Sequence, residues 1–199
     1  MKKIVLIGDS IRMGYDKYVK EKLSDCAKVY FPKDNCRFAQ YILRYLHEWK
    51  EQENMPDDAD LVHWNAGLWD LLHIYGDDCL TDPETYAKLL PRIVNRIRLL
   101  FPQAKIVFAT STPVQEEKYG PYFYGKNAEI EQYNAIAGQV LENLGVVIDD
   151  LYTVMKDVPE NYYSDVTHFY TPEATERIGN AVLECICPLL GIETDSIKR

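Results

Sequence analysis

Lys3-Ile4-Val5-Leu6-Ile7-Gly8-Asp9-Ser10 opens the chain with a short, unbroken apolar run that stops at a glycine. Such a run, lacking polar alternation, suits a strand buried on both faces, as in a parallel sheet. Outward from it, helical spacing covers Arg12 to Leu23, and a second apolar run follows at Ala27 to Phe31. Residues 37–50 return to helical spacing, and Asp60 to Trp64 is a third strand. Thr81-Asp82-Pro83-Glu84 reads as a capping box with proline at an early helical position. The stripe behind it runs from Tyr86 to Leu100, and Pro91 inside it predicts a kink or a later start. A fourth strand at Lys105 to Ala109, a helix from Asn127 stopping at Gly145, and a fifth strand at Val146 to Ile148 complete the alternation. Thr171-Pro172-Glu173 then starts the last helix. Strands alternating with helices predict an α/β layer fold with a parallel five-stranded sheet covered on both faces.

Length and composition agree with one such domain spanning 1–199. The chain has 199 residues, 47% of them hydrophobic and 27% charged, which suits a folded globular protein. Its 22 basic and 31 acidic residues leave a net charge of −9, which argues against nucleic acid or an anionic membrane as partner. The start, Met1-Lys2-Lys3, resembles the charged end of a signal peptide. Only Ile4 to Ile7 follow before Gly8-Asp9, fewer than the roughly 7–15 apolar residues such a peptide needs. No window approaches the ~20 apolar residues of a membrane span, so a cytoplasmic location is expected. The five cysteines (Cys26, Cys36, Cys79, Cys185, Cys187) are scattered and form no pair of C-x-x-C motifs, so buried thiols are expected in place of a metal site. No cofactor is expected either. The 15 tyrosines exceed what a core readily uses, so some should line a surface or cleft.

Ligands of open parallel sheets sit beyond the carboxyl ends of the strands. Those ends offer Gly8-Asp9-Ser10 and Asn65-Ala66-Gly67, with Asp34-Asn35-Cys36 nearby. Just before the last helix comes Asp165-Val166-Thr167-His168. At that spacing the Asp165 carboxylate can reach the imidazole Nδ1, fix its tautomer and leave Nε2 facing a hydroxyl. A serine hydroxyl is a poor nucleophile until such a base takes its proton. No G-x-S-x-G occurs, so an α/β-hydrolase nucleophile elbow is not the route.

Ile4-Val5-Leu6-Ile7-Gly8-Asp9-Ser10 together with Asp165-Val166-Thr167-His168-Phe169-Tyr170-Thr171-Pro172-Glu173 resembles the first and last sequence blocks of the SGNH (GDSL-type) hydrolases. The stretch Asn127 to Asp150 also resembles that family's penultimate helix and strand. The resemblance implies a flavodoxin-like three-layer α/β/α sandwich and a serine ester hydrolase needing no metal. Ser10 would be the nucleophile, His168 the general base and then acid, and Asp165 the orienting carboxylate. The family builds its oxyanion hole from the nucleophile's N–H, a glycine N–H and the Asn of a Gly-x-Asn-Asp block. Here that last block reads Gly67-Leu68-Trp69-Asp70, with Trp69 where Asn is expected, and Cys36 stands in place of the glycine. The expected donors are therefore the N–H groups of Ser10 and Cys36 and the side chain of Asn65.

Asp9, Trp69 and Tyr122 are expected to contact substrate. Aromatic side chains beside a cleft suit sugar rings, so the expected substrate is a short-acyl ester, with acetyl favoured, on a small molecule or oligosaccharide. Lysophospholipase or thioesterase action is the alternative and would require a long apolar groove. A non-catalytic glycan-binding module on the same scaffold is the reading from a different class. His47, His63 and His73 are expected to serve packing or the surface, and the acidic residues between Glu51 and Asp60 are expected to be solvated. The stretch Ser111 to Lys126 reads as one long irregular loop.

Overall fold

The computed structural model describes residues 1–193. In chain order the elements are β1 (Lys2–Ile7), α1 (Ser10–Lys22), β2 (Ala27–Tyr30), α2 (Ala39–Gln52), β3 (Leu61–Trp64) and β4 (His73–Ile74). There follow α3 (Pro83–Leu100), β5 (Lys105–Ala109), β6 (Phe123–Tyr124), α4 (Asn127–Glu142), β7 (Val147–Asp149), α5 (Leu151–Met155) and α6 (Pro172–Leu190). Five strands form a parallel sheet in the order β2-β1-β3-β5-β7. The opening apolar run is its centre: Ile4, Val5, Leu6 and Ile7 are fully buried. Val5 pairs with Tyr30 on one side and Val62 on the other.

The direction of travel reverses at β1. From β1 the chain first steps outward to β2, and then crosses back to β3 and on to β5 and β7. Right-handed crossovers that move in opposite directions place their helices on opposite faces. Accordingly α1 packs with α6, which also touches α5, while α2, α3 and α4 pack in sequence as a second group. The three-layer α/β/α sandwich is therefore present. Ligand sites of such sheets lie at the reversal, which here is the gap between the carboxyl ends of β1 and β3.

Several local expectations need correction. The cap of α3 is Asp82, whose carboxylate accepts from Thr85 N–H, and not Thr81; Pro83 is then the first helical residue. Pro91 neither breaks α3 nor delays its start. It deprives only the Ala87 carbonyl of a partner, and both residues lie on a half-exposed side of the helix. Asp58 and Asp60 are not simply solvated, because they pair with Lys3 at 2.6 Å and Lys2 at 3.1 Å. The stretch 111–126 is not wholly irregular: Phe123–Tyr124 pairs antiparallel with His73–Ile74, joining two loops across the top of the sheet. Strands this short carry no period that sequence could reveal. The five thiols are unpaired, with Cys36 and Cys187 fully buried. Among the described residues, no helix is long and apolar enough to cross a membrane.

Phe38, before α2, offers no side-chain cap. The carboxylate of Asp70 fills that role from another loop, accepting Ala39 N–H at 3.0 and 3.2 Å. Burial pushes Asp70 up to about 7, against the lowering effect of the Ala39 and Thr81 hydrogen bonds. The native state thus holds this proton to higher pH than the unfolded chain, so the contribution to stability is full below pH ~4 and fades as pH rises to ~7. Urea unfolding across pH 4–8 should show this decline, at most about 4 kcal/mol from Asp70, and a flatter profile in Asp70→Asn. An equal slope in both proteins would contradict it.

Candidate active site

Ser10 is the first residue of α1, immediately beyond β1. Asp9 caps the helix by accepting Ile11 N–H at 2.9 Å. The Ser10 N–H belongs to the first helical turn, which has no carbonyl four residues back to receive it. The partial positive charge of the helix end also faces this point.

The chain then folds Asp165 and His168 against Ser10 from 158 residues away in sequence. His168 Nε2 lies 2.8 Å from Ser10 Oγ, and His168 Nδ1 lies 2.7 Å from Asp165 Oδ2. The other carboxylate oxygen, Asp165 Oδ1, accepts the N–H groups of Thr167 and His168, each at 2.8 Å. Partial burial works to raise the Asp165 carboxyl, but the hydrogen bonds from Thr167 N–H and from the His168 ring and N–H outweigh it. It is held below the ordinary value and stays charged beside the imidazole. Ser164 secures the loop by donating both its N–H (2.8 Å) and its hydroxyl (3.0 Å) to the His168 carbonyl.

Ser10 and His168 open onto a cavity of about 290 Å³. Its walls are chiefly apolar: Leu68, Leu71, Leu72, Val114, Phe123 and Ile130, with Trp69 and Tyr119. Tyr119 is tied across the mouth to Thr167 through hydroxyls 2.6 Å apart. The β4–β6 pairing closes the far side, where His73 stacks on Tyr124 at 4.5 Å and reaches Glu129 at 3.1 Å.

The expected oxyanion donors fare unequally. Cys36 N–H is spent on the Gly8 carbonyl at 3.0 Å, so it cannot serve. Asn65 is buried and is not part of the cavity wall; its amide lies against Gly8 and supports the Asp9 carboxylate. Asn35, one residue before Cys36, does line the cavity with Ser10. Its Oδ1 accepts Arg37 N–H at 2.8 Å, which leaves Nδ2 as the free end. Asp9 is fully buried and cannot contact substrate; burial pushes its carboxyl up, opposed by Asn65 and the Ile11 N–H. Tyr122 faces solvent and packs on Tyr75 at 4.9 Å, while its neighbour Phe123 meets the cavity. Of the other histidines, His63 is buried against Asp149 at 2.9 Å and does not line the cavity. Asn35 was legible only as a polar residue in the right loop, and the leucines at 68, 71 and 72 only as apolar residues outside any periodic element.

No family model matches the sequence, and neither does any curated protein. Solved structures do match. One is the lipase/acylhydrolase from Enterococcus faecalis, 20% identical over 92% of this chain and 94% of that one, with a TM-score of 0.69. Another is a GDSL-like lipase from Bacteroides thetaiotaomicron, 16% identical over 93% and 87%, TM-score 0.70. A third is a variant of an acetyl xylan esterase from Geobacillus stearothermophilus, 15% identical over 93% and 94%, TM-score 0.69. The chain shares the three-layer α/β/α fold of these hydrolases.

Within this fold the floor beneath Ser10 is buried and polar. The Arg12 guanidinium pairs with Asp16 and also donates to the carbonyls of Gly8 (3.3 Å) and Asp34 (2.7 Å). It thereby fastens the Asn35 loop to the end of β1. Gly8 allows the close approach on the other side: a Cβ there would lie 1.8 Å from Asn65 Oδ1 and 2.8 Å from Arg12 Cβ. Gly8→Ala should therefore cost about 2–3 kcal/mol or more in unfolding free energy. A urea midpoint equal to that of the unaltered protein would refute the constraint.

Proposed function

We propose that this protein is a serine ester hydrolase that works through an acyl-enzyme on Ser10. The observation that carries this is the continuous hydrogen-bond chain from Asp165 through His168 to Ser10, ending at an apolar cavity. Ser10 Oγ attacks the ester carbonyl carbon while its proton passes to His168 Nε2. The negative charge then forming on the carbonyl oxygen meets the Ser10 N–H and Asn35 Nδ2. As the tetrahedral species collapses, the carbon–oxygen bond to the alcohol breaks and His168 returns its proton to that oxygen. Water repeats the sequence on the acyl-enzyme, giving the acid and restoring Ser10. Asp165 keeps the ring oriented and balances the imidazolium charge.

The cavity walls favour an apolar acyl group of several carbons over the acetyl group expected from sequence. Leu68, Leu71, Leu72, Val114 and Ile130 offer an acetyl group far more apolar surface than it can cover, whereas a longer chain gains about 0.8 kcal/mol per buried methylene. Acetyl removal from a carbohydrate is the second reading. It is favoured by the acetyl xylan esterase among the similar structures and by the solvent-facing Tyr75 and Tyr122 pair, on which a sugar ring could rest.

Fluorophosphonate labelling with intact-mass readout tests the reaction. One adduct is expected on the unaltered protein and none on Ser10→Ala, whose kcat should fall by about 10³–10⁶. Asn35→Ala should lower kcat by about 10²–10³ if its amide meets the oxyanion. Absence of any adduct on the folded protein would instead leave a ligand-binding module. With p-nitrophenyl esters, kcat/KM should rise about three- to fourfold per methylene from C2 to about C6. A maximum at C2 would favour the acetylated carbohydrate.

A further inference from the structure

Tyr170 plays no part in the scheme above, yet it touches both halves of it. Its hydroxyl donates to the Ser10 carbonyl at 2.9 Å, and its ring stacks on His168 with centroids 4.9 Å apart and planes inclined by 22°. The same ring lies across Gly14, one turn along α1 from Ser10, where an added Cβ would stand 3.0 Å from it. We infer that Tyr170 is a positioning residue for the proton transfer: its ring holds the His168 imidazole at the distance and tilt from which Nε2 faces Ser10 Oγ. This rests on the serine hydrolase reading.

The physical need is clear from topology. Ser10 rides on the first turn of α1, while Asp165 and His168 sit in the loop before α6. Asp165 fixes one edge of the imidazole by hydrogen bonds, but in-plane bonds do not stop the ring from tilting about the Nδ1–Nε2 line. A face-on aromatic neighbour does. Its electron-rich face also attracts the imidazolium formed when His168 takes the serine proton. Tyr170 suits this task because its backbone is fixed: its N–H donates to Ser164 Oγ at 3.3 Å, and the next residue, Thr171, caps α6. The ring can therefore reach α1 from a rigid base, and Gly14 leaves room for it where any side chain would push it outward. The ring is half-exposed, so its loss leaves the core intact.

Steady-state kinetics on three variants, with thermal unfolding alongside, test this. Tyr170→Ala should lower kcat about 10- to 100-fold, change KM less than twofold and leave the unfolding temperature nearly unchanged. Tyr170→Phe keeps the stack, loses only the hydroxyl and should recover kcat to within about threefold of the unaltered enzyme. Gly14→Ala alters no group that meets substrate, yet by displacing the ring it should lower kcat several-fold without lowering the unfolding temperature. A kcat for Tyr170→Ala within twofold of the unaltered enzyme would overturn the inference. So would a Tyr170→Phe as slow as Tyr170→Ala, or a rise in KM alone. Fluorophosphonate labelling of Ser10 in the unaltered protein separates the two levels: if that fails, the hydrolase reading falls, and if it succeeds while kcat is indifferent to Tyr170, only this inference does.

Discussion

Arg12 is buried in the first turn of α1, and its guanidinium reaches in three directions: to Asp16 one turn on, to the Gly8 carbonyl at the end of β1, and to the Asp34 carbonyl in the loop after β2. A charge so placed is costly unless it is paired, and removing one partner leaves the others stranded in a dry interior. The cost is offset only when all three pieces of chain occupy their native places together. Arg12 thus acts as a register pin for the top of the sheet. Strand end, helix start and the Asn35 loop cannot shift independently, and the proposed nucleophile and oxyanion donor are carried by two of those pieces.

Around that pin the site divides into a closed polar floor and an apolar chamber. The floor holds Asp9, Asn65 and Asp70, all buried, and each braces backbone or another side chain in place of meeting solvent. The chamber wall comes largely from loops after β3 and β5 that the β4–β6 pairing fastens together. Asp165 differs from both, being half-exposed and held by two backbone N–H groups. Its effect on His168 is therefore one of orientation more than of raw field, because water screens an exposed charge. That makes the rigidity of the 164–171 loop, and of what stacks on it, part of the proposed chemistry.

Legibility from sequence followed interaction range. The strand Ile4 to Ile7, the helix stripes and the Gly8-Asp9-Ser10 and Asp165-x-x-His168 pieces could be read because burial on both faces, helical spacing and the Asp–His bridge are all local. Cys36 and Asn65 were misassigned because the fate of a hydrogen-bonding group depends on what arrives from elsewhere. The Cys36 N–H meets the Gly8 carbonyl, and the Asn65 amide meets a glycine that lets it come close. The apolar cavity behind the proposal of a longer acyl group was hidden on the same ground, since no continuous apolar segment announced it. Its walls are assembled from residues of six separate stretches: 10, 35, 68–72, 114–125, 130 and 167–168.

By itself, then, the sequence determined the α/β alternation, the buried central strand and the spacing that lets Asp165 reach His168, since these rest on period and on separation within a turn, while Ser10 was singled out by the family resemblance of its strand end. Tertiary structure alone decided that the three meet, which amide faces the cavity, what shape the cavity takes and that Tyr170 lies over the imidazole. The physical reason is that hydrogen bonds and van der Waals contacts act over a few ångströms of space, and residues 158 positions apart come within that range only once the sheet has set its order.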